Sequence, residues 1–309
     1  TKMNLPTRPP AWANKISNCL QVIEKHTGEV MYPVKIQDIA VDISKQFFPE
    51  SPITQITGED FSGAFEGALA RIPNSNEWGI AYNTALKSKG RINFTLAHEL
   101  GHYLLHRSEF RDVIRCKRED MFRWNSEYGK REAEANEFAS YLLMPRNLFE
   151  AEMKKNDLSL HHLQDVADYF NVSLTAAILK WLSFTTDRAM LVVGKDGFID
   201  WVWSSERLRK SGVFLQPKKE IIELPAQSLA AKNDPLIDSL RGITYEPGIW
   251  PFKEEVREMT VHADTYDMTI TLLIFPHHAP PQWDQKEEES REFDTYDKFV
   301  SFDKRITTR

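Results

Sequence analysis

Apolar residues recur with a helical period through much of the first 185 positions and with strand-like alternation from about Ala189 onward. After a proline-rich lead from Thr1 to Ala13, the positions Trp12, Ile16, Cys19, Leu20 and Ile23 predict a helix over Trp12 to Lys25. Pro33 opens a second helix with Ile36, Ile39, Ala40 and Ile43 on its inward face, closing before Pro49. Residues 51–84 break into short apolar runs, Pro52 to Ile56, Ala64 to Ile72 and Trp78 to Asn83, around a turn at Pro73-Asn74-Ser75-Asn76. A small β-sheet is the natural reading. Ile92, Leu96, Leu100, Leu104 and Leu105 then predict a helix from Arg91 to His106 with Ser88 as its N-cap. Ser108 to Lys130 is polar, mixes both charge signs, and reads as an inserted loop or short helix at a cleft mouth. Small and apolar residues from Arg131 to Met144 predict a buried helix that Pro145 stops. A helical pair is expected at 155–183.

Beyond it, Met190 to Val193 and Phe198 to Trp203 flank Lys195-Asp196-Gly197 as one hairpin. Arg257 to Ala263 and Met268 to Phe275 flank Thr265-Tyr266-Asp267 as another. The tail from about Pro276 reads as loosely ordered. The sum is an α+β chain: a mostly helical domain with a small sheet over 1–185, then a β-rich or α+β domain over 189–309. The second domain is expected to be a sensory or substrate-docking part. Trp201, Trp203, Trp250 and Trp283 are read as core or edge packing rather than the lining of a ligand pocket.

Composition changes this picture by exclusion. With 41% hydrophobic and 27% charged residues, 309 positions suffice for one or two cores of a soluble protein. A net charge of -6 supplies no general basic field for a phosphate backbone, so no direct nucleic-acid binding is expected. Two cysteines, Cys19 and Cys116, lie far apart and suit a reducing compartment. No apolar run reaches the roughly 18 to 20 residues of a membrane span. A cytoplasmic protein without membrane association follows as an expectation.

The chemistry concentrates in the helix from Arg91. His98 and His102 lie one turn apart on one face, so both imidazoles can grip a single ion. Glu99 is offset from them, where a carboxylate can act as general base toward water at the ion's open position. This is the His-Glu-x-x-His pattern of zinc peptidases. A third protein ligand is needed. The metzincin spacing would demand His at 108 and Gly at 105, and those positions hold Ser108 and Leu105. His106 shares the face but lies about 6 Å further along by helical rise, awkward for a tetrahedron. Glu132 and Glu134 on the following helix remain. Glu132 is preferred because it shares a stripe with Asn136, Ala139 and Leu143, where Ala139 would permit close helix approach and Asn136 would orient a ligand histidine. Glu134 stays open as the alternative, read otherwise as a solvated charge.

Phe-Thr-Leu-Ala-His-Glu-Leu-Gly-His-Tyr-Leu-Leu-His, followed by Glu-x-Glu-Ala-Asn-x-Phe-Ala-x-x-Leu-Leu-Met-Pro, resembles the ImmA/IrrE family of metallopeptidases over roughly residues 30–185. The resemblance implies a zincin-like peptidase domain, zinc on His98, His102 and Glu132, and Glu99 as catalytic base. It also implies a protein substrate: a helix-turn-helix transcriptional repressor whose cleavage induces stress or mobile-element genes. One Zn2+ per chain is expected, although two imidazoles and a carboxylate tolerate other divalent ions.

Other residues also bear on function. Residues 158–182 mimic a helix-turn-helix, with Ser173 as a second N-cap. The second helix offers Thr175, Ala176, Ala177, Ile178 and Leu179 where base-reading side chains belong, so a packed helical pair is the better reading. A regulator with a structural or vestigial metal site is the rival function, and a hydrolase of non-peptide substrates a third. The oxyanion donor is sought among Tyr82, Tyr103, Tyr128 and Tyr141. His161-His162 and His277-His278 are read as surface pairs. Cys116, flanked by Arg115, Lys117 and Arg118, is a candidate thiolate that would occupy the ion's open position, against the commoner reading of a free thiol.

Overall fold

The computed structural model describes residues 5–61, 66–86, 89–109, 113–115, 127–232, 234–263 and 268–278. Helix α1 (Pro9–Thr27) starts on Pro9 and Pro10, whose fixed φ suits a first turn, and ends at Gly28 with φ 73°. Helix α2 (Ile36–Phe47) follows, then β1 (Ile53–Glu59), β2 (Gly67–Arg71) and β3 (Trp78–Asn83), with Asn74 at φ 58° in the turn between the last two. Helix α3 (Lys89–His106) carries the His-Glu-x-x-His motif. Ser88, the expected cap, lies outside the described residues. A 3-10 turn (Arg107–Glu109) leads to β4 (Val113–Arg115), then to α4 (Glu127–Leu143) and α5 (Arg146–Met153). The expected loop or short helix at 108–130 therefore contains a strand instead. Its backbone pairs antiparallel with β2, with Leu69 opposite Ile114.

That sheet has the order β1-β3-β2-β4, with β1 parallel to β3 and the other pairs antiparallel. Gly67 and Tyr82 are partners across β2 and β3. The described residues separate into two compact units, and the first comprises residues up to 151 together with 168–173. Its core is aromatic: Trp12 meets Phe47 edge-on at 5.1 Å, Tyr103 meets Phe48 at 5.8 Å, and Phe149 stacks on Phe170 at 5.7 Å. Asn93 ties α3 to the start of α2, accepting from the Ile36 amide at 3.0 Å and donating to the Val34 carbonyl at 2.7 Å.

The second unit comprises 152–167 and residues from 174 onward. It holds most of α6 (Leu160–Phe170), all of α7 (Leu174–Leu182), β5 (Arg188–Lys195), β6 (Phe198–Ser204), α8 (Glu206–Lys210), β7 (Ile243–Tyr245), β8 (Val256–Ala263) and β9 (Met268–Phe275). The strands form one antiparallel sheet in the order β6-β5-β9-β8-β7. Asp196 and Gly197, at φ 52° and 83°, make the two-residue turn of the β5-β6 hairpin, as a primed turn requires. The turn at 265–267 and Trp283 lie outside the described residues. Trp250 and Phe252 pack with Met190, Val192, Leu273 and Phe275 in the core of this unit, and Trp201 is buried as well.

His162 departs from the surface reading. It is buried, with Nε2 3.2 Å from the Met153 carbonyl and Nδ1 3.4 Å from Asn156 Nδ2. Its neighbour His161 is exposed and faces Asp238 at 3.3 Å. His277 and His278 are exposed too, beside Asp187 and Glu254.

Candidate metal centre

The site is made where α3 and α4 cross. A Cβ on Gly101 would lie 3.0 Å from Phe138 Cδ1 and 3.2 Å from Ala135 Cα, so glycine sets how near the two helices come. The sequence had pointed to Ala139 for this closeness. Ala139 is fully buried, but the tight approach is at Gly101 and Ala135.

That approach brings Glu132 against both histidines. Its Oε2 is 3.2 Å from His98 Nε2 and its Oε1 is 3.1 Å from His102 Nε2, while the two ring nitrogens are 3.0 Å apart. No placement of protons makes all three contacts hydrogen bonds. If both rings donate to the carboxylate, neither has a lone pair for the other. A cation accounts for all three at once, because donors held about 2.0–2.2 Å from a tetrahedral ion stand a little over 3 Å from one another. Among the described residues, His98, His102 and Glu132 form the one group of three or more His, Cys, Asp or Glu whose ligating atoms all lie within 4.8 Å of one another, and all three are buried.

Burial and charge act oppositely on the two imidazoles. Desolvation drives both toward neutrality, and in His102 it prevails, bringing the pKa down to about 4. In His98 the same burial is outweighed by the hydrogen bond and charge of Glu132, with Glu99 and Asn136 adding to it, and the pKa rises to about 9. Burial pushes Glu132 upward as well, but contacts with His102 and His98 win and hold it well below the usual carboxylate range.

The surrounding shell comes from both helices. His98 Nδ1 lies 2.8 Å from Asn136 Oδ1, one turn after Glu132 on α4. His102 Nδ1 lies 3.1 Å from His106 Nδ1, and His106 Nε2 lies 2.9 Å from Glu134 Oε2. Glu134 is thus a partner of a buried histidine rather than only a solvated charge. The sequence held one clue: a His four residues after a ligand, among leucines, needs a polar partner once buried. Glu99 is 1% exposed, and a Cβ on Gly67 would fall 2.8 Å from its Oε1 and 2.5 Å from Thr95 Cγ2. Strand β2 therefore presses bare backbone against this carboxylate. One residue earlier, Glu66 pairs with Arg91 in the first turn of α3.

Of the tyrosines considered for an oxyanion role, Tyr103 is buried and donates to the Ser51 carbonyl at 2.8 Å, which commits its hydroxyl to the core. The Tyr82 hydroxyl accepts from Gln37 Nε2 at 2.9 Å, Tyr141 is half-buried on α4, and the Tyr128 side chain lies outside what is described. Cys116 also lies outside the described residues.

Two imidazoles one turn apart and a carboxylate from a crossing helix form a buried group that fits a metal ion, with a second carboxylate beside the first histidine in the His-Glu-x-x-His pattern. Residues 54–182 match the Peptidase_M78 family model, described as the IrrE N-terminal-like domain. The matched segment contains every residue of the centre. Among solved structures, one titled Mycobacterium tuberculosis transcriptional regulator aligns with a TM-score of 0.49 and 13% identity, covering 85% of this chain and 76% of that one. No curated protein matches the chain.

Proposed function

We propose that the protein is a zinc-dependent endopeptidase that cleaves a specific cytoplasmic protein, a helix-turn-helix transcriptional repressor, in a stress or mobile-element response. The observation that carries the peptidase part is the convergence of His98, His102 and Glu132 within 4.8 Å, with Glu99 next to the first of them. The match of residues 54–182 to a peptidase family model supports a protein substrate, and the repressor is proposed from the same resemblance. Zinc is proposed because two neutral nitrogens and one carboxylate are its common catalytic donor set. The C-terminal unit is assigned a sensory or substrate-docking role on the same footing.

A divalent ion on these three side chains supplies Lewis acidity toward a peptide carbonyl and lowers the pKa of water at its open position. The chain's own groups do the rest. Glu99 takes one proton from the attacking water and returns it to the leaving amine as the C–N bond breaks. Its near-complete burial keeps bulk water from competing for that proton. Asn136 holds the His98 ring by its Nδ1, leaving Nε2 for the ion. The rival reading, a DNA-binding regulator, needs an accessible recognition helix. All nine residues of α7 are buried, and no helix of the described residues is long and apolar enough to cross a membrane.

Purified Glu99→Gln protein should keep its metal and lose repressor cleavage by about 10²–10⁴-fold, the usual share of a general base. His98→Ala should lose both. Incubation with candidate repressors, with metal content measured in parallel, checks this. Undiminished cleavage by Glu99→Gln would refute the assigned base.

A further inference from the structure

His106 and Glu134 have no part in the mechanism above, yet they continue a chain of contacts that begins at a ligand. His102 turns Nε2 toward His98 and Glu132, so on the reading of these residues as metal ligands that nitrogen must offer a lone pair. A neutral imidazole then carries its proton on Nδ1, which lies 3.1 Å from His106 Nδ1. His106 Nδ1 must accept, so the proton of that ring sits on Nε2, 2.9 Å from Glu134 Oε2. Every donor in the series meets an acceptor, and one ordering of protons satisfies all of it. His106 is 3% exposed, so water does not compete for these bonds, whereas the Glu134 side chain at the far end is 32% exposed.

We propose that His106 and Glu134 are positioning residues for the metal: they fix the tautomer and ring angle of His102 and increase its basicity toward the ion. The pattern is the carboxylate–histidine–metal arrangement with one additional imidazole between carboxylate and ligand. It also explains a division of labour on α4. Asn136 orients His98 directly, and Glu134 orients His102 through His106, so both rings take their angle from the helix that supplies Glu132.

The test uses Co2+ as probe, reading its affinity by chelator competition and its coordination by visible absorption in the full-length protein. His106→Leu keeps the bulk and removes the acceptor. It should weaken Co2+ binding about 10–100-fold, the usual effect of losing such a partner, and alter the ligand-field bands. His106→Asn, whose Oδ1 can accept where Nδ1 did, should restore most of the affinity. Glu134→Ala, at the partly exposed end, should weaken binding by several-fold and keeps the test decisive if His106→Leu does not fold. Native affinity and an unchanged spectrum in folded His106→Leu, or in Glu134→Ala, would overturn the relay alone. Failure of the native protein to bind Co2+ would overturn the metal centre, and the relay with it.

Discussion

His98 and His102 are the same side chain one turn apart, yet their surroundings drive them in opposite directions. Desolvation dominates at His102 and keeps it neutral above about pH 4, while Glu132, Glu99 and Asn136 overcome the same burial at His98 and lift it to about 9. At pH 7 the ion-free protein therefore holds an imidazolium at His98 against the Glu132 carboxylate. A cation must displace that proton. Calorimetry of Zn2+ binding at pH 7, in buffers of different ionisation enthalpy, should show release of about one proton per ion. The sign for stability follows. Because His98 is raised above its ordinary 6.5, its contribution to the ion-free fold is complete below that pH and lost as the pH rises toward 9. Metal-free melts should weaken across that window and metal-loaded melts should not. Binding enthalpies independent of the buffer would contradict this protonation scheme.

At the level of elements, the centre depends on two glycines at close approaches. Gly101 lets α3 meet α4, and Gly67 lets β2 meet α3 beside Glu99. In Gly67→Ala the new methyl would fall 2.5 Å from Thr95 Cγ2 and 2.8 Å from Glu99 Oε1, so both side chains must shift and the carboxylate is displaced. Cleavage should drop by about 10²-fold, as for a catalytic group displaced by roughly an ångström, with bound metal unchanged. Full cleavage by Gly67→Ala would show that β2 does not set the position of Glu99. The helices and the motif were legible because a 3.6-residue stripe and one-turn spacing are local properties. Strand β4 was not, since three residues in a charged stretch give no alternation to read, and it is defined by pairing with β2 far earlier in the chain. His162 escaped for a similar reason: its ring is buried with polar partners, Met153 and Asn156, that lie before its own helix. Ala139 and Gly101 were both visible as small residues. Which of them bears the helix crossing depends on how α4 is rotated, and no single-helix pattern fixes that.

For the molecule as a whole, the α+β class was readable from the change of period near Ala189, and the antiparallel sheet of the second unit follows from hairpins whose turn residues are explicit. The grouping of α7 with those strands was not readable, because a wholly buried helix carries no polar face to announce its neighbours. The site spans about forty residues of sequence and two helices, and it exists only if the first unit folds as described. Metal stoichiometry and affinity in the intact protein therefore test the account most directly, with His98→Ala, His102→Ala and Glu132→Ala alongside and circular dichroism to verify folding. One tightly held Zn2+ per native chain, lost from each folded variant, is the expected result. A native chain that retains no ion after dialysis, or a folded Glu132→Ala protein that holds zinc as tightly as the native one, would contradict it.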